Sequence, residues 1–328
     1  MVQILELFGG IGSPRIALRN LGVDVKAIDY VEIDEKAVRS YNAMFQKELK
    51  YKTQDVRGYN LKPDILIHGS PCQDFSVAGK QKGAEPGSGT RSSLMWETIN
   101  IIKQMGEWKP KYIIWENVRN VLSKHMRHNF NRYLEELEKL GYTNNFKILN
   151  AMEFGLPQNR NRVFTVSCLH GELFNFDTLE RKPMKSIKEF LQSNDEVDDR
   201  YTIKSPSMKN RIMKTDSKTF SGILKIIEDY AECITTKQDR CPNSGIIPLG
   251  NGEYRLLTEL ECWRLQGYKD EDYYAALKAN PGIEGKKNSA LYTQAGNSIP
   301  VPIFESIFKQ ILDKESSDNK KDIQLITA

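Results

Sequence analysis

No stretch of this 328-residue sequence stays apolar for long enough to cross a membrane, so we expect neither a membrane-spanning protein nor a membrane partner. The N-terminal segment MVQILELFGG also lacks the basic region and hydrophobic core of a secretory signal. These absences predict a cytoplasmic protein.

Cysteine and histidine are both scarce. The five cysteines, at positions 72, 168, 233, 241 and 262, are odd in number and form no CxxC pair. This pattern indicates neither a disulfide framework nor a zinc site, so we predict no bound metal and a reducing environment. None of the four histidines stands in a recognisable protease context, which disfavours a cysteine–histidine protease.

Charge of neither sign dominates the sequence. The net charge of +4 is mildly basic, which permits a nucleic-acid partner without requiring one. The content of 39% hydrophobic and 27% charged residues is typical of a globular protein. The length allows one large domain or two unequal ones with a substantial core.

The first half of the chain alternates apolar runs with amphipathic segments. Strands are predicted over 2–8, 23–32, 63–70, 110–118, 143–155 and 162–169. Helices are predicted from the N-cap Ser13 through Pro14 to Gly22, from Asp34, over 93–107 and over 129–141. Regular alternation of this kind predicts an α/β fold with a doubly wound, mostly parallel sheet.

The pattern changes near residue 175. Residues 176–250 are lysine-rich and irregular, and they predict a smaller second domain of loops and short strands. A capped helix is predicted within 256–268 and another within 297–312, followed by a charged tail that is expected to fray. We therefore predict one domain over 1–175 that is completed by 290–328, and a smaller one over 176–289.

A glycine-rich turn, FGGIG, follows the first predicted strand. Glycines at this place let the backbone approach a ligand closely, and ligands of open parallel sheets lie beyond the carboxyl ends of the strands. Glu32 ends the second strand, where an acid can bind ribose hydroxyls. These residues alone fit a phosphate-free adenosine cofactor, a dinucleotide or a turn without a ligand.

Cys72 follows the third strand and should lie at the same edge of the sheet. Pro71 stiffens the backbone before it, and Gln73 offers both donors and an acceptor. The polar, glycine-rich segment 78–93 suits a lid. A thiol in this position is either a nucleophile or an inert packing residue.

An ordered series of motifs separates these alternatives. The series consists of LELFGGIG (5–12), YVEID (30–34), QDVR (54–57), GSPCQDFS (69–76), TRSSLMWE (90–97), WENV (115–118), FGLPQNRNRVF (154–164), LLTELECWRLQGY (256–268) and QAGNSIP (294–300). Over nearly its whole length, and in the family's order, the chain resembles a cytosine carbon-5 DNA methyltransferase of bacterial or phage type. The irregular segment falls where that family has its variable target-recognition region.

The resemblance implies the catalytic residues. Cys72 would be the nucleophile that adds to cytosine carbon 6, and Glu116 would contact ring N3. Arg160 resembles the arginine that contacts O2, while Arg162 would position Glu116 and its loop. The residues implied to bind the substrate are Gln73, Ser76 and Asn117. The remaining cysteines are interpreted as packing or surface residues.

The resemblance also implies S-adenosylmethionine as the cofactor and a class I, Rossmann-like methyltransferase fold. Phe8 would pack on the adenine, Glu32 would bind the ribose and Asp55 would accept the adenine amino group. The other residues implied to bind the cofactor are Gly10, Gly12, Pro71, Leu94, Asn297 and Ser298.

The implied substrate is double-stranded DNA from which one cytosine is flipped out, because a stacked base could not meet both a thiol and a methyl donor. Residues 176–289 would then form the target-recognition domain and hinge. The resemblance favours a monomer and leaves room for a separate restriction endonuclease. Three alternatives stay open: a tRNA cytosine-5 methyltransferase, a catalytically inactive DNA- or cofactor-binding relative, and a nicotinamide oxidoreductase supported only by the glycine turn and Glu32.

Overall fold

The computed structural model describes residues 2–45, 50–57, 63–70, 91–212, 223–250 and 252–326. The strands in this part of the chain are β1 (Val2–Leu7), β2 (Val25–Val31), β3 (Ile65–His68), β4 (Tyr112–Val118), β5 (Tyr142–Asn150), β6 (Gln158–Asn159), β7 (Asn161–Leu169), β8 (Ala231–Glu232), β9 (Ile246–Pro248) and β10 (Tyr254–Leu256). The α-helices are α1 (Ser13–Asn20), α2 (Glu35–Met44), α3 (Met95–Gln104), α4 (Arg127–Lys139), α5 (Pro206–Ile212), α6 (Glu259–Arg264), α7 (Asp270–Ala279), α8 (Ser289–Asn297) and α9 (Val301–Ile326).

A six-stranded sheet in the order β2-β1-β3-β4-β7-β5 organises the larger part of the molecule. Strands β2, β1, β3 and β4 are parallel to one another, whereas β7 runs antiparallel to both β4 and β5. The predicted doubly wound, mostly parallel α/β fold is thus confirmed. Because β1, β3 and β4 run in the same direction, the segments that follow them meet at one edge of the sheet.

Helices cover both faces of the sheet, which explains why β3 and β4 begin with buried apolar runs, 65–67 and 112–115. Successive side chains of a strand point to opposite faces, so Ile65 and Leu66 enter different cores. One core includes residues of α1, α2 and α9, and the other includes residues of α3 and α4. The sheet is therefore buried between two helical layers.

The predicted second domain packs against this sheet domain through the same core. Its small sheets pair β9 with β10 and β8 with β6, so the first domain supplies one strand of the second pair. The buried side chains of Phe176, Ile187 and Tyr201 belong to the core that also contains Ile65. The prediction of loops and short strands agrees with this structure, while the domain boundaries stay a prediction.

A buried ion pair stabilises the chain where regular structure resumes. Arg255 donates to both carboxylate oxygens of Glu261 at 2.9 Å, and neither side chain is more than 2% exposed. Glu261 also accepts from the backbone of Thr258, whose hydroxyl accepts from the Glu261 backbone in return. This capping box begins α6, as the sequence predicts.

Two predicted helix ends differ from the structure. The N-cap of α1 is Gly12, in a left-handed conformation, and Ser13 is already helical. The hydroxyl of Ser13 bonds elsewhere, so it does not cap the helix. The tail is expected to fray, but in the structure it continues α9 to Ile326. The buried first half of α9 nucleates the helix, and lysine, glutamate and glutamine have favourable helix propensities that extend it. Of the helices in the described ranges, none has the length and apolar character of a membrane span.

We predict that Gly296→Ala destabilises the protein, although alanine has the higher helix propensity by about 1 kcal/mol. Gly296 lies in α8, and a Cβ at this position would lie 2.3 Å from the Thr236 backbone nitrogen. Because backbone atoms would have to shift, we expect a cost of roughly 1–3 kcal/mol and a lower Tm in thermal unfolding.

Gly282→Ala is the matched control. A Cβ at Gly282 would have its nearest neighbour at 3.4 Å, the Asn288 side chain, so its Tm should stay close to that of the wild type. Equal Tm values for the two variants would contradict the close approach of α8 to residues 235–236.

Candidate active site

A cleft of about 590 Å³ opens at the edge of the sheet where β1, β2 and β4 end. This one cleft is lined by most of the described residues that the sequence predicts to form a site. They are Phe8, Gly10, Glu32, Asp55, Leu94, Glu116, Asn117, Arg160, Arg162, Asn297 and Ser298. The nominated residues Pro71, Cys72, Gln73 and Ser76 lie outside the described residues.

The turn after β1 combines an open backbone with tight packing. Phe8 has a φ of 55°, which is uncommon for a residue with a side chain and marks a sharp reversal. No atom lies within 4 Å of a Cβ added to Gly10, whereas a Cβ at Gly12 would lie 2.5 Å from the Tyr41 ring. Gly10 therefore leaves room in the cleft, while Gly12, which does not line it, allows α1 to pack beside α2.

Glu32 is fixed at the end of β2 by backbone groups. Its Oε2 accepts from Gly10 N at 2.9 Å, and its Oε1 accepts from Ile33 N at 2.8 Å and Asp34 N at 2.9 Å. A carboxylate can accept about four hydrogen bonds, so capacity remains for about one more, from a hydroxyl group of a ligand. The glycine turn thus helps to orient the acid.

Asp55 lies in the segment that runs beside β2. Gln54 N donates to Glu32 O at 2.8 Å and attaches this segment to the end of β2. The carboxylate of Asp55 accepts from Arg57 N at 3.0 Å and pairs with the Arg57 guanidinium at 3.2 Å. Asp55 and Glu32 both line the cleft.

The C-terminal part of the chain returns to close the cleft. Ser298 Oγ lies 3.0 Å from Ser13 Oγ and 2.9 Å from Tyr268 Oη, and the Ser13–Tyr268 distance is 2.7 Å. This ring of hydroxyls attaches the residue after α8 to the start of α1. It also explains why Ser13 is not available as the predicted cap.

A buried ion pair lies at the other end of the cleft, between neighbouring strands. Glu116 on β4 and Arg162 on β7 approach to 3.1 Å, between Oε1 and Nε, with side chains 11% and 14% exposed. Burial raises the pKa of the Glu116 carboxyl, and the positive charges of Arg162 and Arg160 oppose this shift without cancelling it. Glu116 is therefore easier to protonate than an exposed glutamate.

The chain that leads to Pro71 is fixed at Ser70. Trp115 Nε1 donates to Ser70 Oγ at 3.1 Å, and Asn117 Nδ2 donates to Ser70 O at 3.3 Å. A Cβ at Gly69 would lie 3.7 Å from Glu116 Oε2. The strand that carries Glu116 therefore positions the last described residues before Cys72.

Arg160 connects three segments that are distant in sequence. Its Nη1 donates to Ile234 O at 2.9 Å, and its Nη2 donates to Gly296 O at 3.0 Å and Ser298 O at 2.7 Å. The side chain is 2% exposed. Both terminal nitrogens of Arg160 are thus committed to backbone carbonyls, and the role in O2 contact that the resemblance implies stays a prediction.

Cys233 is a residue near the site that the sequence did not reveal. Its Sγ lies 3.2 Å from Arg160 Nη1 and 3.5 Å from Arg162 Nη2. Its interpretation as a packing or surface residue did not anticipate these two contacts. No local pattern could have identified it, because the arginines precede it by about 70 residues and meet it only through the pairing of β6 with β8.

Buried groups beneath the glycine turn form a separate polar cluster. Tyr41 Oη donates to Glu6 Oε2 at 2.5 Å and accepts from Arg15 Nη1 at 2.9 Å. Burial raises the pKa of Glu6 from 4.5 to about 7, against the opposing effects of the Tyr41 hydrogen bond and the Arg15 charge. In the described ranges no group of three or more histidine, cysteine or acidic residues could hold a metal ion.

Comparison with solved structures shows the fold. The S. pombe Dnmt2 methyltransferase superimposes with a TM-score of 0.73 at 19% identity, covering 96% of this chain and 99% of that chain. A putative DNA modification methyltransferase from an E. coli prophage gives a TM-score of 0.62 at 19% identity, covering 95% and 99%. The fold is that of class I methyltransferases.

Sequence comparison shows the family. Residues 2–313 match the model of the C-5 cytosine-specific DNA methylase family. The type II methyltransferase M2.ScrFI of Lactococcus lactis subsp. cremoris is 32% identical over 96% of this chain and 100% of its own length. The type II methyltransferase M.Bsp6I of Bacillus sp. (strain RFL6) is 30% identical over 95% of this chain and 100% of its own length. The chain belongs to the C-5 cytosine-specific DNA methylase family, and it is a DNA methyltransferase, not a nicotinamide oxidoreductase.

We predict that Glu6→Gln flattens the dependence of stability on pH. The folded-state pKa is raised, so the stability that the neutral carboxyl contributes is fully present below pH 4.5 and is lost as the pH rises through about 7. Glutamine keeps an acceptor for Tyr41 but does not titrate. The difference between the Tm of the wild type and the Tm of Glu6→Gln should therefore fall as the pH rises from 4.5 to about 7.

The control is Glu172→Gln, because the Glu172 side chain is 92% exposed. Its Tm should follow that of the wild type at each pH. Parallel curves for Glu6→Gln and the wild type would contradict a neutral Glu6 in the folded protein.

Proposed function

We propose that this enzyme methylates cytosine carbon 5 with S-adenosylmethionine as the methyl donor and Cys72 as the nucleophile. One observation carries the proposal: a single cleft contains both the backbone-held carboxylate of Glu32 and the buried Glu116–Arg162 pair. Glu32 can bind a nucleoside, and the Glu116–Arg162 pair can protonate a base. The methyl donor and the cytosine could therefore meet in this cleft.

The cleft fits the proposed cofactor. A volume of about 590 Å³ lies within the usual range for small-molecule sites, and the space beside Gly10 leaves its backbone accessible. Glu32 would bind the ribose hydroxyls, Asp55 the adenine amino group, and Phe8 with Leu94 the adenine faces. S-adenosylmethionine supplies an electrophilic methyl group on a sulfonium.

The proposed chemistry begins at Cys72. Its thiolate adds to cytosine C6, so an S–C6 bond forms and the C5–C6 double bond shifts electrons toward N3. Carbon 5 of the resulting enamine would then accept the methyl group as the bond between that methyl and the sulfonium breaks, which would leave the sulfur of the cofactor as a neutral thioether. Loss of the C5 proton and departure of the Cys72 thiolate restore the aromatic ring and release the enzyme.

Glu116 is the proposed proton donor to N3. Because burial raises the pKa of its carboxyl, the protonated form is available closer to neutral pH than in water. Arg162 orients the carboxyl through Oε1. The proton stabilises the charge that the addition of the thiolate pushes onto the ring.

Arg162, not Arg160, is the better candidate for contact with O2. Arg160 is 2% exposed and bonds backbone carbonyls with both terminal nitrogens. Arg162 lines the cleft beside Glu116 and is the more exposed of the two, at 14%. We assign Arg160 the role of joining the segments around the site.

The proposed substrate is double-stranded DNA, with 176–289 as the target-recognition region. Ala231 N donates to Pro157 O at 2.9 Å, and Ile234 N donates to Gln158 Oε1 at 3.1 Å, so this region is attached next to the catalytic arginines. The exposed Lys237 follows directly and is suited to phosphate contact. A flipped cytosine would enter between this region and the sheet.

The cellular setting is part of the proposal. Some of the relatives are described as type II methyltransferases and others, such as M.SPRI of Bacillus phage SPR at 25% identity, as orphan methyltransferases. We propose a monomer that acts on cytoplasmic DNA, with any cognate endonuclease as a separate protein.

The function is tested by transfer of a labelled methyl group from S-adenosylmethionine to duplex DNA and, in parallel, to tRNA. We expect label in DNA, located at C5 of cytosine within one sequence by bisulfite sequencing. Label in tRNA alone would support the RNA alternative, and binding without transfer to either would support an inactive relative.

Glu116→Gln should slow methylation of DNA by roughly two orders of magnitude, because glutamine cannot donate a proton to N3 as an acid does. Cofactor affinity, measured by titration calorimetry, should not change. Glu172→Gln, which alters an exposed acid, should keep the wild-type rate. A wild-type rate for Glu116→Gln would remove Glu116 from the mechanism.

A further inference from the structure

The ring of three hydroxyls at the start of α1 is buried. Tyr268 Oη lies 2.7 Å from Ser13 Oγ and 2.9 Å from Ser298 Oγ, and the two serine oxygens are 3.0 Å apart. Each of these residues is at most 5% exposed. Ser298 lines the cleft, whereas Tyr268 is not among the described residues that line it. Tyr268 can therefore act on a ligand of the cleft only through the serines.

Both serines also line a smaller space of about 60 Å³ that adjoins the cleft and shares Gly10 and Ser298 with it. We call this space the narrow end. Its lining includes Glu6 and Pro14 as well, but neither of the acids proposed to bind the nucleoside. When those acids hold the ribose and the adenine, the amino-acid part of S-adenosylmethionine is the part that can extend into the narrow end.

The narrow end offers polar groups for both charges of an amino acid. Glu6 is 1% exposed, and its Oε1 has no hydrogen-bond partner among the described residues, so it can receive an ammonium group. Ser13 begins α1, whose N-cap Gly12 provides no side-chain cap. The start of a helix favours an anion, because the positive end of the helix dipole lies there. We therefore expect the carboxylate of the cofactor beside Ser13 and Ser298.

The contacts of Ser13 determine the direction of the hydrogen bonds in the ring. Ile299 N lies 3.3 Å from Ser13 Oγ and can only donate to it. A phenol donates more strongly than an alcohol, and the contact between Tyr268 and Ser13 is the shortest in the ring, so we assign Tyr268 as a second donor to Ser13. Both lone pairs of Ser13 are then occupied, and its own hydrogen is directed at Ser298.

The hydroxyl hydrogen of Ser298 is the one that can turn toward a ligand. It can close the ring on Tyr268 Oη, reach Ile299 O at 3.4 Å, or donate to an acceptor in the cleft that Ser298 lines. A hydroxyl that accepts a hydrogen bond becomes a stronger donor itself. The series from Tyr268 through Ser13 to Ser298 therefore ends in a strengthened donor at the cleft.

We propose that Tyr268 is a positioning residue for the cofactor, whose hydroxyl orients Ser13 and Ser298 so that Ser298 donates to the cofactor carboxylate. This inference rests on the proposed use of S-adenosylmethionine. Tyr268 makes no contact with the cofactor in this arrangement and acts through the two serines.

The test measures binding by titration calorimetry, with S-adenosylhomocysteine and two of its analogues as the ligands. The aminopropyl analogue lacks only the carboxylate, and the carboxypropyl analogue lacks only the amino group. Tyr268→Phe removes the hydroxyl and keeps the ring. It should therefore bind S-adenosylhomocysteine and the carboxypropyl analogue roughly five- to tenfold more weakly than the wild type does. The aminopropyl analogue should bind both proteins equally.

Tyr142→Phe is the matched control. Tyr142 is also buried, and its hydroxyl donates to Pro110 O at 2.8 Å. This variant also loses one buried hydrogen bond, but it should bind all three ligands as the wild type does. In methylation assays, Tyr268→Phe should raise the KM for S-adenosylmethionine and leave kcat unchanged, because the carboxylate is bound equally in the ground state and the transition state.

Ser13→Ala keeps the proposal testable if Tyr268→Phe does not fold. It interrupts the series of hydrogen bonds in its middle and should cause the same loss of affinity, confined to ligands that carry the carboxylate. In the double variant, Tyr268→Phe should add little to this loss, because its hydroxyl no longer acts through Ser13. The Tm of each variant, measured in parallel, identifies any protein that is not folded.

The outcomes separate this inference from the proposed function. If the wild type binds S-adenosylhomocysteine but Tyr268→Phe weakens all three ligands equally, weakens only those with the amino group, or weakens none, the inference is overturned and the proposed cofactor stands. Fully additive losses in the double variant would also overturn it. A wild type that does not bind S-adenosylhomocysteine would refute the proposed cofactor, and the inference with it.

Discussion

The buried guanidinium of Arg160 is the constraint on which the arrangement of this enzyme depends. A charged group that is only 2% exposed is costly to bury unless it is paired and hydrogen-bonded. Four of the five N–H groups of Arg160 donate to carbonyls and a sulfur from residues 233–234 and from 296–298, and the Nε–H has no partner among the described residues. These contacts bring the proposed recognition region and the C-terminal return onto the sheet domain at the cleft.

The consequences extend to both ends of the cleft. Ser298, whose carbonyl accepts from Arg160, also bonds to Ser13 at the start of α1, beside the glycine turn. At the other end, Cys233 contacts Arg160 and Arg162, and Arg162 contacts Glu116. The cofactor side and the base side of the proposed site are thus linked through one side chain.

The sheet was predictable because the pattern that determines its strands is local in the sequence. Apolar runs such as β3 and β4, separated by amphipathic helices, leave few alternatives to a mostly parallel sheet. Helix ends were less reliable, since Ser13 is a favourable cap that a distant contact with Ser298 engages instead. The tail was mistaken for a frayed end, because charged composition alone does not show that a buried helix precedes it.

Sequence motifs were enough to predict which residues lie in the cleft. They were not enough to predict the roles of residues that depend on long-range contacts. Glu116 and Glu32 lie in the expected cleft, because both follow from their positions at strand ends. The different uses of Arg160 and Arg162 depend on which carbonyls and acids reach them, which no local pattern encodes. Cys233 is the clearest case, since nothing in its neighbouring residues indicates two arginines beside it.

The central claim is covalent addition of Cys72 to the target base, and duplex DNA carrying 5-fluorocytosine tests it most directly. Fluorine at C5 cannot be removed as a cation, so the enzyme should stop after methyl transfer with the base still attached. We expect an adduct that survives denaturing electrophoresis, requires S-adenosylmethionine and maps by mass spectrometry to the peptide containing Cys72. An adduct that persists in Cys72→Ala, or an active enzyme that forms none, would contradict the account.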